Sequence, residues 1–383
     1  NGGGKTTILD GIAKGLAPIL RFLSSPEQRL SATGLGLDDQ DFRLLDISEK
    51  KPNQPTKSAD YTRIELEATN GLSWDVQRSK AGKQPPTKVG QTKLKRYCTD
   101  KLLCLDAGQP TMLPVLAYYG TQRGNIGIPE RLPAPKANYD YPTAALFDTL
   151  NARGDFKEAV KWFFAEESSE LRNNKGQSIQ DFTLSPTLEA VRASITEVLG
   201  ESFTNPHFNK RNKFVVETGH GTEELQVAQL SMGYQSMLAL AMDYARRLAV
   251  ANPHLYNSDT PGFEFENEVN EYGGFYNNAV ERLHGFGFAP SIILIDEVDL
   301  HLHPEWQQRV LDDLMRTFPN TQFIVTTHSP QVLSAVKNES IRTLSPSEDS
   351  GIEARIPPQQ TRGVENADIL AKVMGVDPIP PVL

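Results

Sequence analysis

The sequence predicts an α/β fold built on a parallel sheet, and three stretches predict it. Asn1-Gly2-Gly3-Gly4-Lys5-Thr6-Thr7 runs directly into the amphipathic segment Ile8 to Leu20, a glycine-rich turn that opens a helix. Ser291-Ile292-Ile293-Leu294-Ile295-Asp296-Glu297 is an unbroken apolar run ending in two carboxylates, the pattern of a strand buried on both faces. Gln322-Phe323-Ile324-Val325 repeats that pattern after a helical segment that starts at Pro304 and shows apolar Trp306, Val310, Leu311, Leu314 and Phe318. Strand, helix, strand is the unit that joins neighbouring parallel strands.

The length of 383 residues leaves room for two domains, or for one domain with large insertions. A hydrophobic share of 38% with 28 glycines is that of a chain with a substantial core, which excludes wholesale disorder, collagen and a membrane bundle. No apolar run approaches the roughly 18 residues that cross a bilayer, so a soluble chain is expected. The net charge of −9 makes the surface as a whole repel nucleic acid, and any polyanion site must be local. Cys98 and Cys104 are too few for a disulfide scaffold and are not in a metal-binding spacing, which points to a reducing cytoplasm. Because Asn1 falls inside a motif, the first glycine and the strand that carries it are expected upstream of it.

Asn1, Gly2, Gly3, Gly4, Lys5, Thr6 and Thr7 read as the second half of G-x-x-x-x-G-K-[ST]. Glycines let backbone N–H groups turn inward around a triphosphate, and the helix start adds partial positive charge at the same place. Lys5 would reach the β- and γ-phosphates of ATP, and the Thr6 hydroxyl would take a place on Mg²⁺. A glycine-rich linker is the plain alternative.

At the other end, residues at the carboxyl ends of parallel strands line a ligand crevice. Asp296 would hold Mg²⁺ through water, and Glu297 would orient and deprotonate an attacking water. An acidic turn after a core strand is the alternative. His328, in Thr326-Thr327-His328-Ser329, ends the next strand and could sense a γ-phosphate there, or be structural. Leu230-Ser231-Met232-Gly233-Tyr234-Gln235-Ser236 precedes a long helix with Met237, Leu238, Ala241, Tyr244, Ala245 and Leu248 on one face. Ser231 suits an N-cap and Gly233 a close backbone approach, in an ordinary core helix or at a second anion site.

The ordered set GGGKTT, LSMGYQ, IILIDE and IVTTHS resembles the ABC-type ATPase superfamily, which includes transporter, SMC, RecF and OLD-like heads. The resemblance implies a P-loop NTPase of ABC-ATPase type, with an antiparallel β-subdomain and a helical lobe carrying the signature motif. It also implies that Ser231 and Gly233 of one head face ATP bound by another. Asp296 to Pro304 reads DEVDLHLHP, which is similar to OLD-like heads, not to the DE-x-x-SALD of transporters. His303 stands where transporters carry an aspartate, and a turn into a helix explains His301 and His303 without a structural metal. By its order in the chain, Leu113 to Arg123 resembles the Q-loop segment, with Gln122 as a Mg²⁺ and water contact and Arg123 as a phosphate neighbour. The YYGT-x-R wording, LSMGYQS and the closing Gly363 to Leu370 are similar to the PtuA-type ATPases of Septu and certain retron anti-phage systems. That likeness implies a partner HNH nuclease of PtuB type and leaves open a retron RNA and reverse transcriptase. Alternatives are a RecF- or SMC-like repair head acting directly on DNA, a scaffold stapled by ATP with negligible turnover, and a transporter subunit, which DEVDLHLHP disfavours.

The expected organisation is an N-terminal part of the head over 1–140, a helical lobe over 141–250, an acidic and aromatic insertion over 251–290, and the catalytic strands with a tail over 291–383. Thr62 to Ala68 and Leu72 to Arg78 alternate around Asn70-Gly71 as a hairpin. Residues 78–101 carry Arg78, Lys80, Lys83, Lys88, Lys93, Lys95, Arg96 and Lys101 against Asp100 alone. That stretch reads as a solvated loop, and as the best candidate on the chain for DNA phosphate contact. The insertion is a surface excursion or, through Phe263, Phe265, Tyr272, Phe275 and Tyr276, a docking site. Ser345 to Gln360 reads as loop, a short helix follows near Ala367 to Met374, and the tail has no room for a nuclease domain.

Overall fold

The computed structural model describes the chain apart from residues 1–3, 33, 45–57, 86, 125–133, 155, 179–180, 201, 219–222, 256–288, 348–350 and 378–383. The proposed docking aromatics, and Asn1, Gly2 and Gly3, lie outside the described residues. The chain divides into two compact units, one of residues 6–111 and one of residues 1–5 with 112–383.

In the smaller unit, helix α1 (Lys5–Leu23) lies on an antiparallel hairpin of β1 (Tyr61–Glu67) and β2 (Ser73–Ser79). Gly15 makes the approach: a Cβ there would stand 2.3 Å from Leu66 Cδ1, and the Trp74 indole donates to the Gly15 carbonyl at 2.8 Å. Asn70 and Gly71 form the hairpin turn as expected, Gly71 with φ +78° and the Asn70 side chain accepting from Leu72 N–H. The basic stretch is only partly loop, because Thr92–Asp106 forms helix α2, which buries Leu94 and Cys98 and leaves Lys93, Lys95 and Arg96 exposed. Between β2 and α2 the chain is pinned by Asp75, whose carboxylate accepts from the N–H groups of Val89 and Gly90 and pairs with Arg63 at 2.9 Å.

The larger unit is built on a parallel sheet in the order β3 (Val115–Tyr119), β7 (Ser291–Ile295), β8 (Thr321–Val325). Register places Tyr119 beside Ile295 and Ile295 beside Val325, so all three strands end level. β3 is buried throughout and β7 nearly so, as their apolar runs require. Helix α6 (Pro304–Thr317) connects β7 to β8. Helices α3 (Lys157–Asn173), α4 (Pro186–Leu199) and α5 (Met232–Ala251) lie within the stretch 141–250 expected as a helical lobe. The same stretch contains a three-stranded antiparallel sheet, β4 (Phe203–Phe208), β5 (Phe214–Thr218) and β6 (Glu223–Gln226), which the sequence reading did not anticipate. Its Phe208 and Phe214 pack on Phe163 of α3.

α5 is buried on every side from Ser236 to Ala251, not on one face. Tyr244 donates to Ser291 at the start of β7 and contacts Thr321 at the start of β8, both at 2.7 Å. Asp243 accepts from Tyr119 at 2.8 Å and pairs with Arg246 and Arg247. Beyond β8 come α7 (Pro330–Ala335), a hairpin of β9 (Thr343–Ser347) and β10 (Gly351–Arg355), and α8 (Asn366–Lys372). The hairpin replaces the loop expected over Ser345 to Gln360.

Candidate functional site

Four of the residues singled out from sequence meet at one end of the parallel sheet. Gln122 follows β3, Asp296 and Glu297 follow β7, and His328 follows β8, each within three residues of a strand's carboxyl end. Asp296 is buried, at 3% exposure, while Gln122 is exposed and Glu297 and His328 are half-buried. A buried carboxylate with accessible polar groups around it suits charge handling better than packing.

Backbone and side-chain bonds fix this end. Asp296 N–H donates to the Tyr119 carbonyl and Thr326 N–H to the Ile295 carbonyl, both at 2.9 Å, which extends the pairing one step past the strands. The Thr326 hydroxyl donates to Asp296 Oδ1 at 2.5 Å and accepts from Glu297 N–H at 2.8 Å. Glu297 then turns with φ +48° and His301 with φ +64°, left-handed values that cost a residue with a Cβ and are kept where the surroundings impose them. Asp299 accepts from the Thr327 hydroxyl and, at 3.4 Å, from His328 N–H, so the carboxylate turn holds the histidine turn in place.

Arg123 was expected beside phosphate, and the structure corrects this. Its guanidinium is buried, at 4% exposure, and donates to the carbonyls of Asp296, Glu297 and Gly120. Burial pushes its pKa down to about 10 despite the opposing pull of Asp296, Asp299 and Glu297. It is a charged clamp behind the carboxylates. Thr326 and Asp299 are positioning residues that sequence reasoning missed, and Arg123 is one that it gave another role; the only signal for Thr326 was a hydroxyl directly after an apolar strand.

The helix of the LSMGYQ stretch begins as its sequence suggests, with the Ser231 side chain capping Tyr234 N–H at 3.5 Å. Ser231 and Met232 are exposed. Gly233 is buried against the turn after β7, where a Cβ would stand 2.8 Å from the His301 carbonyl oxygen. His303 caps α6 by accepting from Glu305 N–H, so it acts as a helix start. Gly4 takes φ +77° just before α1, Lys5 opens that helix, and Thr6 and Thr7 are exposed in its first turn.

At the strand ends Asp296 and Gln122 offer hard oxygen atoms of the kind that suits a magnesium nucleotide, and among the described residues no cluster of three His, Cys, Asp or Glu side chains could hold a metal on its own. Mg²⁺ normally takes one or two carboxylates and fills its remaining positions with water and phosphate, as this sparse set would require.

A mixed α/β fold of parallel and antiparallel sheets, with an acid pair, a glutamine and a histidine at the ends of neighbouring parallel strands, is of the ABC-ATPase type. The chain belongs to the family described as "AAA domain, putative AbiEii toxin, Type IV TA system", whose profile matches residues 133–334. It is similar to "Retron Vc95 probable ATPase" of Vibrio cholerae serotype O1 biovar El Tor, at 27% identity over 90% of this chain and 67% of that protein. A shorter match, 38% identical over 23% of each chain, is to "Septu protein PtuA" of Bacillus thuringiensis. Among solved structures, an SMC head bound to the C-winged helix domain of ScpA aligns over 93% of this chain and 87% of its own, at TM-score 0.39 and 15% identity. Among the described residues no helix is long and apolar enough to cross a membrane.

Proposed function

We propose that this chain is an ATPase that pairs with a second copy around ATP and Mg²⁺ and in that state controls a PtuB-like HNH nuclease in anti-phage defence. The observation that carries the reading is the junction of Asp296, Glu297 and His328, stitched together by Thr326 and Asp299 at the ends of adjacent strands. Such fixed polar groups act on a reaction without having to reorganise during it. Glu297 orients the attacking water and takes its proton, Gln122 helps to place that water, and Lys5 and His328 meet the charge that develops on the γ-phosphoryl group. Mg²⁺, when bound, would supply positive charge that offsets the charge of the phosphates. Asp296, with Thr6 and Gln122, would hold it, and Gly2, Gly3, Gly4 and Thr7 would cradle the phosphates with Asn1 at the entry to the turn. Ser231 and Gly233 of the second copy would complete each site, which is why a lone chain should turn over slowly.

The likeness to a retron ATPase and to a Septu protein supports the defence setting; the partner that cuts nucleic acid is our proposal. A retron RNA and reverse transcriptase are further candidates in that assembly, which we place in the cytoplasm. The exposed Lys93, Lys95 and Arg96 on α2 support DNA contact within residues 78–101. Co-purification from cells without detergent, with the neighbouring reading frames expressed, tests the assembly. A small HNH protein held on the ATPase supports the proposal; a membrane permease in its place overturns it.

A further inference from the structure

Two adjoining cavities lie within the smaller unit, and none of the residues assigned above to the nucleotide lines them. One, of about 370 Å³, is lined by Gln77, Ser79, Lys80, Lys83, Gln84, Pro85 and Lys88. The other, of about 570 Å³, is lined in part by Arg21, Asp75, Arg78, Lys88 and Gln91. Gln77 and Lys88 belong to both, so the two form one crevice of a size that takes small ligands.

Its walls hold five cations, Arg21, Arg78, Lys80, Lys83 and Lys88, and one carboxylate, Asp75. Asp75 is already engaged by Arg63 and two backbone N–H groups. Two outer acids reduce the charge in part: Asp39 pairs with Arg78 at 2.8 Å, and Asp60 with Lys83 at 3.4 Å. Lys80 donates to the Ser58 carbonyl, and Arg21 to the Gln91 side chain. On a chain with a net charge of −9, a concave surface of this sign is a local investment in anion binding. The crevice also offers a neutral acceptor: Gln77 Oε1 is buried without a hydrogen-bond partner among the described residues. A buried acceptor left unpaired costs about 1–3 kcal/mol, which a ligand N–H or O–H would recover.

Arg21 and Thr6 both lie on α1, fifteen residues apart, and at 1.5 Å per residue the crevice is about 22 Å from the phosphate-binding turn. We propose that it binds one nucleotide unit, its phosphate on Lys80, Lys83 and Lys88 and a donor of its sugar or base on Gln77 Oε1, as a second site separate from ATP. This deepens the reading that residues 78–101 contact nucleic acid, and rests on it. The unit could belong to a single strand or be a free nucleotide.

The test is fluorescence anisotropy of a fluorescein-labelled oligothymidylate with the full chain, at several salt concentrations and with AMP as competitor. Lys83→Glu with Lys88→Glu should weaken binding about tenfold and lower the salt slope by roughly 0.7 for each phosphate that is no longer neutralised. Gln77→Met, which keeps the charge, should weaken it about two- to fivefold with the salt slope unchanged. Displacement by millimolar AMP assigns the site to a free nucleotide, and no displacement to the strand. Both variants should bind a fluorescent ATP analogue as the parent does. Parental oligonucleotide binding by both variants, or a parallel loss of the ATP analogue, overturns the proposal. If Lys93→Glu, Lys95→Glu and Arg96→Glu together weaken oligonucleotide binding while the crevice variants do not, the crevice is wrong and the broader contact stands; no binding of the oligonucleotide or AMP by the parent overturns both.

Discussion

Thr326 connects the two loops of the candidate site through one hydroxyl, which donates to Asp296 Oδ1 and accepts from Glu297 N–H. Thr326→Val keeps the shape and removes both bonds, leaving a buried carboxylate and a turn N–H without this partner. Loss of a group that orients a metal ligand typically costs 10–100-fold in metal affinity or activity. Titration of ATPase rate with Mg²⁺ should therefore show a half-maximal concentration about tenfold higher or more; an unchanged curve would mean that Asp296 needs no orienting. Asp243 is the structural counterpart. Burial opposes its charge, but Arg247 and Arg246 outweigh it and hold the carboxyl well below its ordinary value of 3.8. With the folded pKa depressed, this contribution is complete above that ordinary value and is lost as pH falls below it. Asp243→Asn leaves two buried guanidinium groups short of a counter-charge and should cost about 3–5 kcal/mol at neutral pH. Thermal melts should show a shallower acid loss below pH 4 in the variant than in the parent, and equal slopes would remove Asp243 from the acid response.

At the scale of elements, α5 carries the signature stretch on a helix that cannot shift independently of the carboxylate turn. Gly233 sets this coupling, since a Cβ there would meet the His301 carbonyl oxygen at 2.8 Å, closer than non-bonded atoms tolerate. Gly233→Ala should cost about 1–3 kcal/mol through forced displacement. The expected readout is a lowered Tm together with reduced turnover; a parental Tm and rate would show that the helix start moves freely.

The elements legible in the sequence were those whose pattern agreed with their surroundings. Glycine followed by an apolar period gave α1, apolar runs gave β7 and β8, and Ser231 and Pro304 marked the starts of α5 and α6. The elements missed had their pattern broken. β4 holds Pro206 and a register shift between Thr204 and His207, with Asn205 at φ +46°, so alternation fails within six residues. β9 contains Pro346, which reads as loop. α2 buries little beyond Leu94 and Cys98 and has no side-chain cap at Gln91, so its charge concealed its helical period. In the site, the groups proposed to react could be named from sequence because such chemistry selects residue types, whereas Arg123 and Asp299 act by reaching backbone or hydroxyl groups of distant segments, which only the fold reveals.

For the whole molecule, an acidic chain places eight of its 39 lysines and arginines between Arg78 and Lys101, which in the proposed function keeps a place for polyanions apart from the place for chemistry. If a second copy closes around ATP as proposed, turnover depends on assembly, so ATP with Mg²⁺ should double the mass of a 42.5 kDa chain in light scattering, and more completely in Glu297→Gln. A monomeric mass in saturating ATP for both would contradict the paired state. The most direct test of the central claim, that the strand-end carboxylates perform the hydrolysis, is steady-state phosphate release by Glu297→Gln, with ATP binding measured alongside. Loss of a general base should slow release by about 10²–10⁴-fold with ATP still bound; release at the parental rate would contradict it.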